Sequence, residues 1–342
     1  MLKRKIIDCS EIAPSDERFE VIGAFNPAVI RSDGITYMIL RVAERAKQTK
    51  ENEFSVPYYE PDKGMGILNV PKTSDYDFSD VRVIKGKSEF YLTSMSHFKV
   101  GKSADGVNFD FSDNVCIFPE TDYEEYGVED ARITEIDGVF YITYTAANRQ
   151  GTFVALMTTK DFKSFERKGV LFSGDDKDCV IFPERINGRY YAMHRPDNDI
   201  NKSLDIFTAE SKDLLKWTSF GALKDARPDF TKSARLGAGA VPLKTEKGYL
   251  AVYHSADKNN RYLLCSMLLD RDDPLKVLAK SKKPLIEPTE SYEKTGFVND
   301  VVFTCGLTRT GDCLNIYYGV CDKCVAVAFM PISEIWENME IL

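Results

Sequence analysis

Tyr126-Gly-Val-Glu-Asp-Ala-Arg-Ile-Thr134, followed by Asp137-Gly138 and Phe140-Tyr-Ile-Thr-Tyr-Thr145, sets two adjacent carboxylates, Glu129 and Asp130, ahead of a strand, a turn and a second strand. An Asp-Gly pair between apolar runs is a strong hairpin signal, because the matching turn needs positive φ at both central residues. The stretch therefore reads as a structural unit and, through its carboxylates, as a candidate reaction centre.

The same plan recurs along the chain. Phe25–Ile30, Asp33-Gly34 and Tyr37–Arg41 form one copy, and Glu129–Ile133, Asp137-Gly138 and Tyr141–Tyr144 the next. Phe182–Ile186, Asn187-Gly188 and Tyr190–His194 form a third, and Gly239–Leu243, Lys247-Gly248 and Tyr249–His254 a fourth. The fifth is Asn299–Phe303, Gly311 and Leu314–Tyr318. A third strand follows each: Phe98–Gly106, Val154–Asp161, Ile206–Asp213, Leu263–Asp270 and Val325–Met330. The turn glycines, at 34, 138, 188, 248 and 311, are spaced by 104, 50, 60 and 63 residues. Residues 46–82 are polar, with Pro57, Pro61 and Pro71 and little alternation, so the long first gap reads as an insertion at about 46–88. Five units of three or four strands predict an all-β, five-bladed β-propeller forming a single domain over residues 1–342, with an irregular β-sandwich as the alternative. Pro331–Trp336, with Ser333 in its first turn, is the one expected helix.

Composition bounds the partners. The 342 residues are 43% hydrophobic and 29% charged, ample for a soluble core. A net charge of -8 argues against nucleic-acid phosphate as a partner. No run of about 18 apolar residues predicts a membrane span, and the start Met1–Asp8 is too short for a signal peptide, so the expected location is the cytoplasm. The eight cysteines, in mostly apolar surroundings, suit reduced buried thiols. Cys321 and Cys324 make a single Cys-x-x-Cys without the second pair a zinc site usually needs.

In a propeller the innermost strand of each blade lines the axis, and its start shares a face with the end of the second strand. Those positions bring together Asn26 and Arg41, Glu129 and Asp130, and Lys177, Asp178, His194 and Arg195. Blade four adds Arg235, Tyr253 and His254, and blade five adds Asn299, Asp300 and Asp322. Such a charged funnel is costly unless it binds something polar or charged. Lys177, Arg195, Arg235 and His254 suit an anion with several oxygens, and the carboxylates suit sugar hydroxyls. Plainer readings stand beside these. His97, His194 and His254 all fall at expected strand ends and each is explicable as a satisfied residue there. A three-histidine metal centre is opposed by the neighbouring cations. Glu129 and Arg132 are candidates for an ordinary cross-strand ion pair. No nucleophile triad, phosphate-cradling glycine loop or dinucleotide fingerprint occurs.

Gly127–Thr134, Lys177–Gly188, His194-Arg-Pro196, Gly237-Ala-Gly239 with Tyr253-His254, and Tyr317–Asp322, in that order, resemble glycoside hydrolase family 130, the β-mannoside phosphorylases and related β-mannosidases. The likeness covers about residues 20–330. It implies a five-bladed propeller in which inorganic phosphate attacks the anomeric carbon of a β-linked mannose, releasing α-mannose 1-phosphate with inversion. It further implies that Asp130 is the general acid, acting through a sugar hydroxyl. By the same resemblance Lys177, Arg195, Arg235, Tyr253 and His254 hold phosphate. The expected substrate-binding set is Asn26, Arg41, His97, Glu129, Asp300 and Asp322. Phosphate is a co-substrate; no cofactor or metal is expected, and a homo-oligomer is left open. Ala131 departs from the family's more usual Glu-Asp-Pro-Arg. Leu92–Phe98 and the insertion look more like members acting on β-1,2-mannosides. An inverting hydrolase would need a second carboxylate about 6.5–9.5 Å from the acid, for which Glu184, Asp178 and Asp300 are the candidates. A phosphorylase needs a cationic cradle instead. A non-catalytic propeller binding a glycan or protein on its charged face is the alternative from outside enzymology.

Overall fold

Strand-forming residues joined by short Asp-Gly and Asn-Gly turns pair first with their sequence neighbours, and the chain folds into antiparallel sheets taken up in chain order. The computed structural model describes residues 1–60, 63–197, 202 and 204–342. The first sheet contains Phe19–Ser32, Ile35–Ala46, Met95–Ser103 and Cys116–Ile117. The second contains Val128–Ile136, Val139–Asn148, Gly151–Thr159 and Glu166–Phe172, and the third Asp176–Ile181, Tyr190–Pro196, Phe207–Ser211 and Trp217–Ala222. The fourth is built on Arg235–Ala238, Gly248–Ala256, Tyr262–Leu269 and Val277–Ser281. The fifth joins Val302–Thr310, Cys313–Val320 and Cys324–Pro331 to the N-terminal strand Leu2–Asp8, which thereby ties the two ends of the chain together.

Alternation along each strand leaves both sheet faces apolar, so every sheet must be covered on two sides. Five buried clusters do this, one at each junction. Phe98 and Ile142 belong to the cluster between the first and second sheets, and Leu156 and Ile181 to that between the second and third. Val180 and Leu236 join the third to the fourth, and Val252 and Ile316 the fourth to the fifth. Met38 and Val327 join the first to the fifth. A repeated turn ends the third strand. Asp105, Asp161, Asp213 and Asp270 each accept two backbone N–H groups from the following two or three residues. Those N–H groups hold all four carboxyls below the usual range.

The strand bounds differ from the expected ones at several points. The inner strand of the third sheet is Asp176–Ile181, ahead of the expected 182–186, because Pro183 lacks an N–H and interrupts the ladder. Residues 239–242 are a break between Arg235–Ala238 and Leu243–Thr245, again at a proline, Pro242. Asn299 and Asp300 precede the fifth inner strand rather than begin it. His97 stands near the start of Met95–Ser103, not at a strand end. Between the second and third strands of the first sheet lie a hairpin, Glu53–Glu60 with Gly64–Pro71, and a small sheet of Asp77–Asp80, Val83–Lys85 and Phe90–Leu92. Pro61, one of the prolines marking this segment, lies outside the described residues. The helix is Ile332–Glu337.

Candidate active site

In an ordinary strand, neighbouring side chains point to opposite faces. Glu129 and Asp130 escape this through a bulge: pairing with the second strand slips between Glu129 and Arg132, and Asp130 adopts φ +50°. The same device occurs at Asn26 (φ +48°), between Phe25 and Ala28, and at Asp178 (φ +56°), between Lys177 and Val180. Asn and Asp tolerate the left-handed region better than other side chains, and bulges re-aim a side chain where one is needed. Three successive sheets therefore present an Asn or Asp at matching positions of their inner strands.

Around the first two of these bulges the charges interlock. Arg41 donates from Nη1 to Asp130 Oδ1 at 2.9 Å, from Nη2 to Glu129 Oε1 at 2.7 Å, and from Nε to Ser96 Oγ at 2.9 Å. Asn26 Nδ2 donates to the same Asp130 Oδ1 at 2.9 Å. Among the described residues Asp130 Oδ2 has no partner, so one carboxyl oxygen is fixed and the other is open. Asp322 lies in the tight turn after the second strand of the fifth sheet, where Cys321 and Asp322 both have positive φ (+52° and +53°). Burial pushes its carboxyl up to about 6; Arg41 opposes this, and Asp130 and Glu129 reinforce it.

The other half is organised on Asp178. Arg132 Nη2 donates to Asp178 Oδ1 at 3.1 Å, while Arg195 Nη2 and His254 Nε2 stand 3.4 and 3.3 Å from Oδ2. Burial opposes ionisation of Asp178, but Arg195, His254 and Arg132 together hold it well below the usual carboxylate range. Burial lowers the pKa of His254, so the ring is neutral at pH 7. Arg195 is 5% exposed, and its Nε and Nη1 are buried without a hydrogen-bond partner among the described residues. A guanidinium with two orphaned donors is costly unless an acceptor enters. Lys177 faces Arg195 across the strand pair, its Nζ 3.8 Å from Asp197. Gly237 makes the close approach possible, since a Cβ there would collide with Asp178 and His254.

Arg132 joins the halves. Only 1% exposed, it donates to the carbonyls of Asp130 (3.1 Å), Ala238 (3.0 Å) and Gly239 (3.3 Å) as well as to Asp178. The expected Glu129–Arg132 pair is therefore not formed; Glu129 is taken by Arg41 and Arg132 by Asp178.

Of the residues singled out from sequence, Asn26, Arg41, Glu129 and Asp130 form one contact network. Asp322 lies close enough to perturb it, and Lys177, Arg195 and His254 gather by Asp178. Arg235 sits at the edge, donating to Tyr262 Oη from Nε (3.0 Å) and Nη2 (2.8 Å); Tyr262 in turn packs against His254 with ring centroids 5.7 Å apart. Asp300 borders the same turn as Asp322, its carbonyl accepting from Tyr262 N at 3.1 Å. Two expectations are corrected. Tyr253 faces the core between the third and fourth sheets, its hydroxyl donating to the Ala226 carbonyl at 2.7 Å, because adjacent residues of an unbulged strand point opposite ways. His97 lies 3.5 Å from the buried Glu44 and packs against Phe118, again on the face opposite its neighbour Ser96. His194 bonds Asp176 at 2.6 Å, so the three histidines occupy three separate environments. Glu184, considered as a base, is engaged by Lys244 and Tyr249. Ser96 and Tyr262 were missed. Alternation marks Ser96, which pairs with Ala43 on the face of Arg41; Tyr262 carries no comparable signal.

Known proteins resemble the chain along nearly its whole length. A model of glycoside hydrolase family 130, described as beta-1,4-mannooligosaccharide phosphorylase, matches residues 87–341. The beta-1,2-mannobiose phosphorylase of Listeria innocua is 41% identical over 337 residues, covering 97% of this chain and 95% of that protein. A 1,2-beta-oligomannan phosphorylase of Thermoanaerobacter is 38% identical over 251 residues, 70% of this chain and 83% of its own. The Listeria innocua enzyme, solved in complex with beta-1,2-mannobiose, superposes with a TM-score of 0.91 at 40% identity, covering 99% of both chains. The chain belongs to glycoside hydrolase family 130.

Proposed function

We propose that this protein is a five-bladed β-propeller that phosphorolyses β-linked mannosides, β-1,2-mannobiose or its longer homologues, with inversion. The five sheets in chain order, with an apolar cluster at each junction including that of the fifth with the first, support the ring. The relatives named for β-1,2-mannosides support the linkage.

The observation that carries the reaction is the pairing of one open carboxyl oxygen, Asp130 Oδ2, with buried, unpartnered donors on Arg195. In this reading phosphate sits on Arg195 and Lys177, with Arg235 and neutral His254 beside it, and one of its oxygens attacks the anomeric carbon. The glycosidic C–O bond breaks, and the departing sugar oxygen receives a proton that originates on Asp130 and passes through a mannose hydroxyl. Asn26 and Arg41 fix Asp130 by its other oxygen. Glu129, Asp322 and Asp300 accept sugar hydroxyls. Asp178 is no free base, since it is the shared counter-ion of Arg132 and Arg195 with the neutral His254 ring beside it, and Glu184 is engaged by Lys244 and Tyr249; phosphate, arriving already anionic, needs no base. The experiment is proton NMR of the first product formed from β-1,2-mannobiose in phosphate buffer. α-Mannose 1-phosphate supports inversion by phosphate; the β-anomer or free mannose alone overturns it.

A further inference from the structure

The bulge that turns Asp178 into the site is braced from behind. Lys177 pairs with Arg195 and Val180 with Met193, so Asp178 and Cys179 together face a single residue of the partner strand, His194. Inside the slip, the Cys179 carbonyl accepts from Thr143 Oγ1 of the second sheet at 2.6 Å. His194 itself reaches diagonally past the slip. Its Nδ1 lies 2.6 Å from Asp176 Oδ2, and its Nε2 lies 3.1 Å from Ser219 Oγ on the outermost strand of the same sheet. Phe172, which packs on the apolar cluster of Leu156 and Ile181, stacks on the imidazole with ring centroids 4.1 Å apart.

The Asp176–His194 pair is costly where it stands. The two residues are 3% and 2% exposed, and Asp176 Oδ1 is buried without a hydrogen-bond partner among the described residues. Burial pushes the Asp176 carboxyl up, and the bond to His194 opposes this. Apolar side chains of similar volume can fill such a junction without loss of stability. What the pair supplies instead is geometry: one short, directional bond fixes a distance across the two strands, which apolar packing does not.

The consequence falls on the other face. Adjacent residues of a strand point opposite ways. Asp176 precedes Lys177 and His194 precedes Arg195, so the pair facing the second sheet carries the two cations of the cradle on its reverse. We propose that Asp176 and His194 are positioning residues for phosphate. Their bond sets the geometry of the bulge, and through it where Asp178 holds the Arg195 guanidinium and where Lys177 stands. Neither residue touches substrate. Asn26, Arg41 and Asp130 belong to the first and second sheets, so the sugar-holding half does not depend on this bond. The inference rests on the phosphorylase reading and adds residues that act through its cradle.

The test uses three variants of the full-length protein. His194→Phe keeps a ring against Phe172 and removes both nitrogens. Asp176→Leu combined with His194→Phe leaves no buried carboxyl unpaired. His194→Asn retains an amide that can donate where Nδ1 stood. Initial rates are measured against phosphate and against β-1,2-mannobiose, and inorganic phosphate alone is titrated calorimetrically. His194→Phe and the double variant should raise the phosphate KM about tenfold, with kcat and the mannobiose KM within about twofold of the unaltered protein. The phosphate titration should weaken by the same factor, and His194→Asn should recover most of the loss. Because the pair acts through Arg195, adding His194→Phe to Arg195→Ala should change the phosphate KM no further. An unchanged phosphate KM in the folded double variant overturns the proposal. So does a loss shared equally by kcat and both KM values, which marks a merely structural pair, and so does full additivity with Arg195→Ala. If His194→Phe does not fold, the double variant decides. Turnover of mannobiose without phosphate dependence refutes the phosphorylase reading instead, and the phosphate titration still decides the brace.

Discussion

Replacing Arg195 by alanine should cripple the use of phosphate while sparing the sugar. Its Nε and Nη1 are buried and unpartnered among the described residues, so in the proposed complex both donate to phosphate oxygens. A hydrogen bond to a charged group contributes about 1.5–3 kcal/mol. Because two such bonds from one guanidinium are not additive, about 3 kcal/mol is the working figure, roughly a hundredfold in kcat/KM for phosphate. The fold should survive, since Asp178 keeps Arg132 at 3.1 Å and His254 at 3.3 Å. Arg195→Lys preserves the charge but not the planar fork, and should fall between. The assay is initial rate against phosphate at saturating β-1,2-mannobiose, with the thermal midpoint as control for folding. A folded Arg195→Ala protein with an unchanged phosphate KM, or with its defect confined to the mannobiose KM, would refute the cradle.

Asp130→Asn keeps the acceptor for Arg41 and Asn26 but removes the transferable proton, so turnover should vanish with the thermal midpoint little changed; retained activity excludes Asp130 as the acid. Asp322 has its folded pKa raised to about 6, so its ionised form, the one able to accept sugar hydroxyls, is lost as pH falls through that value. Mannobiose affinity, measured calorimetrically without phosphate, should weaken below about pH 6 and lose that dependence in Asp322→Asn. A raised carboxyl pKa contributes stability at low pH that disappears as pH rises through about 6, so Asp322→Asn should also raise the thermal midpoint at neutral pH. A lower midpoint contradicts this. Arg132→Met strips the buried Asp178 of a partner and frees three carbonyls, and should cost about 3–5 kcal/mol in urea unfolding; a loss under 1 kcal/mol would show the network to be dispensable.

The repeat was legible because hairpin turns and period-2 alternation are local properties, so Asp137-Gly138 and its counterparts disclosed the units before any contact was known. The bulges were not. Their effect is a slip of register against a partner strand, and only the recurrence of Asn26, Asp130 and Asp178 within matching segments hints at it. That slip decides the site, because it lets Glu129 and Asp130 share Arg41. Where no bulge intervenes, alternation should have excluded one of each adjacent pair, and ignoring it placed Tyr253 beside His254 and His97 where Ser96 belongs. Arg132 read as half of a cross-strand ion pair with Glu129 because its partner, Asp178, is 46 residues away in another sheet.

The central claim is that phosphate, not water, attacks the mannoside. It is tested most directly by incubating the protein with β-1,2-mannobiose while inorganic phosphate is titrated from zero, counting mannose and mannose 1-phosphate together. The account predicts no cleavage without phosphate and equal amounts of the two products with it. Mannose released at a rate indifferent to phosphate would contradict it.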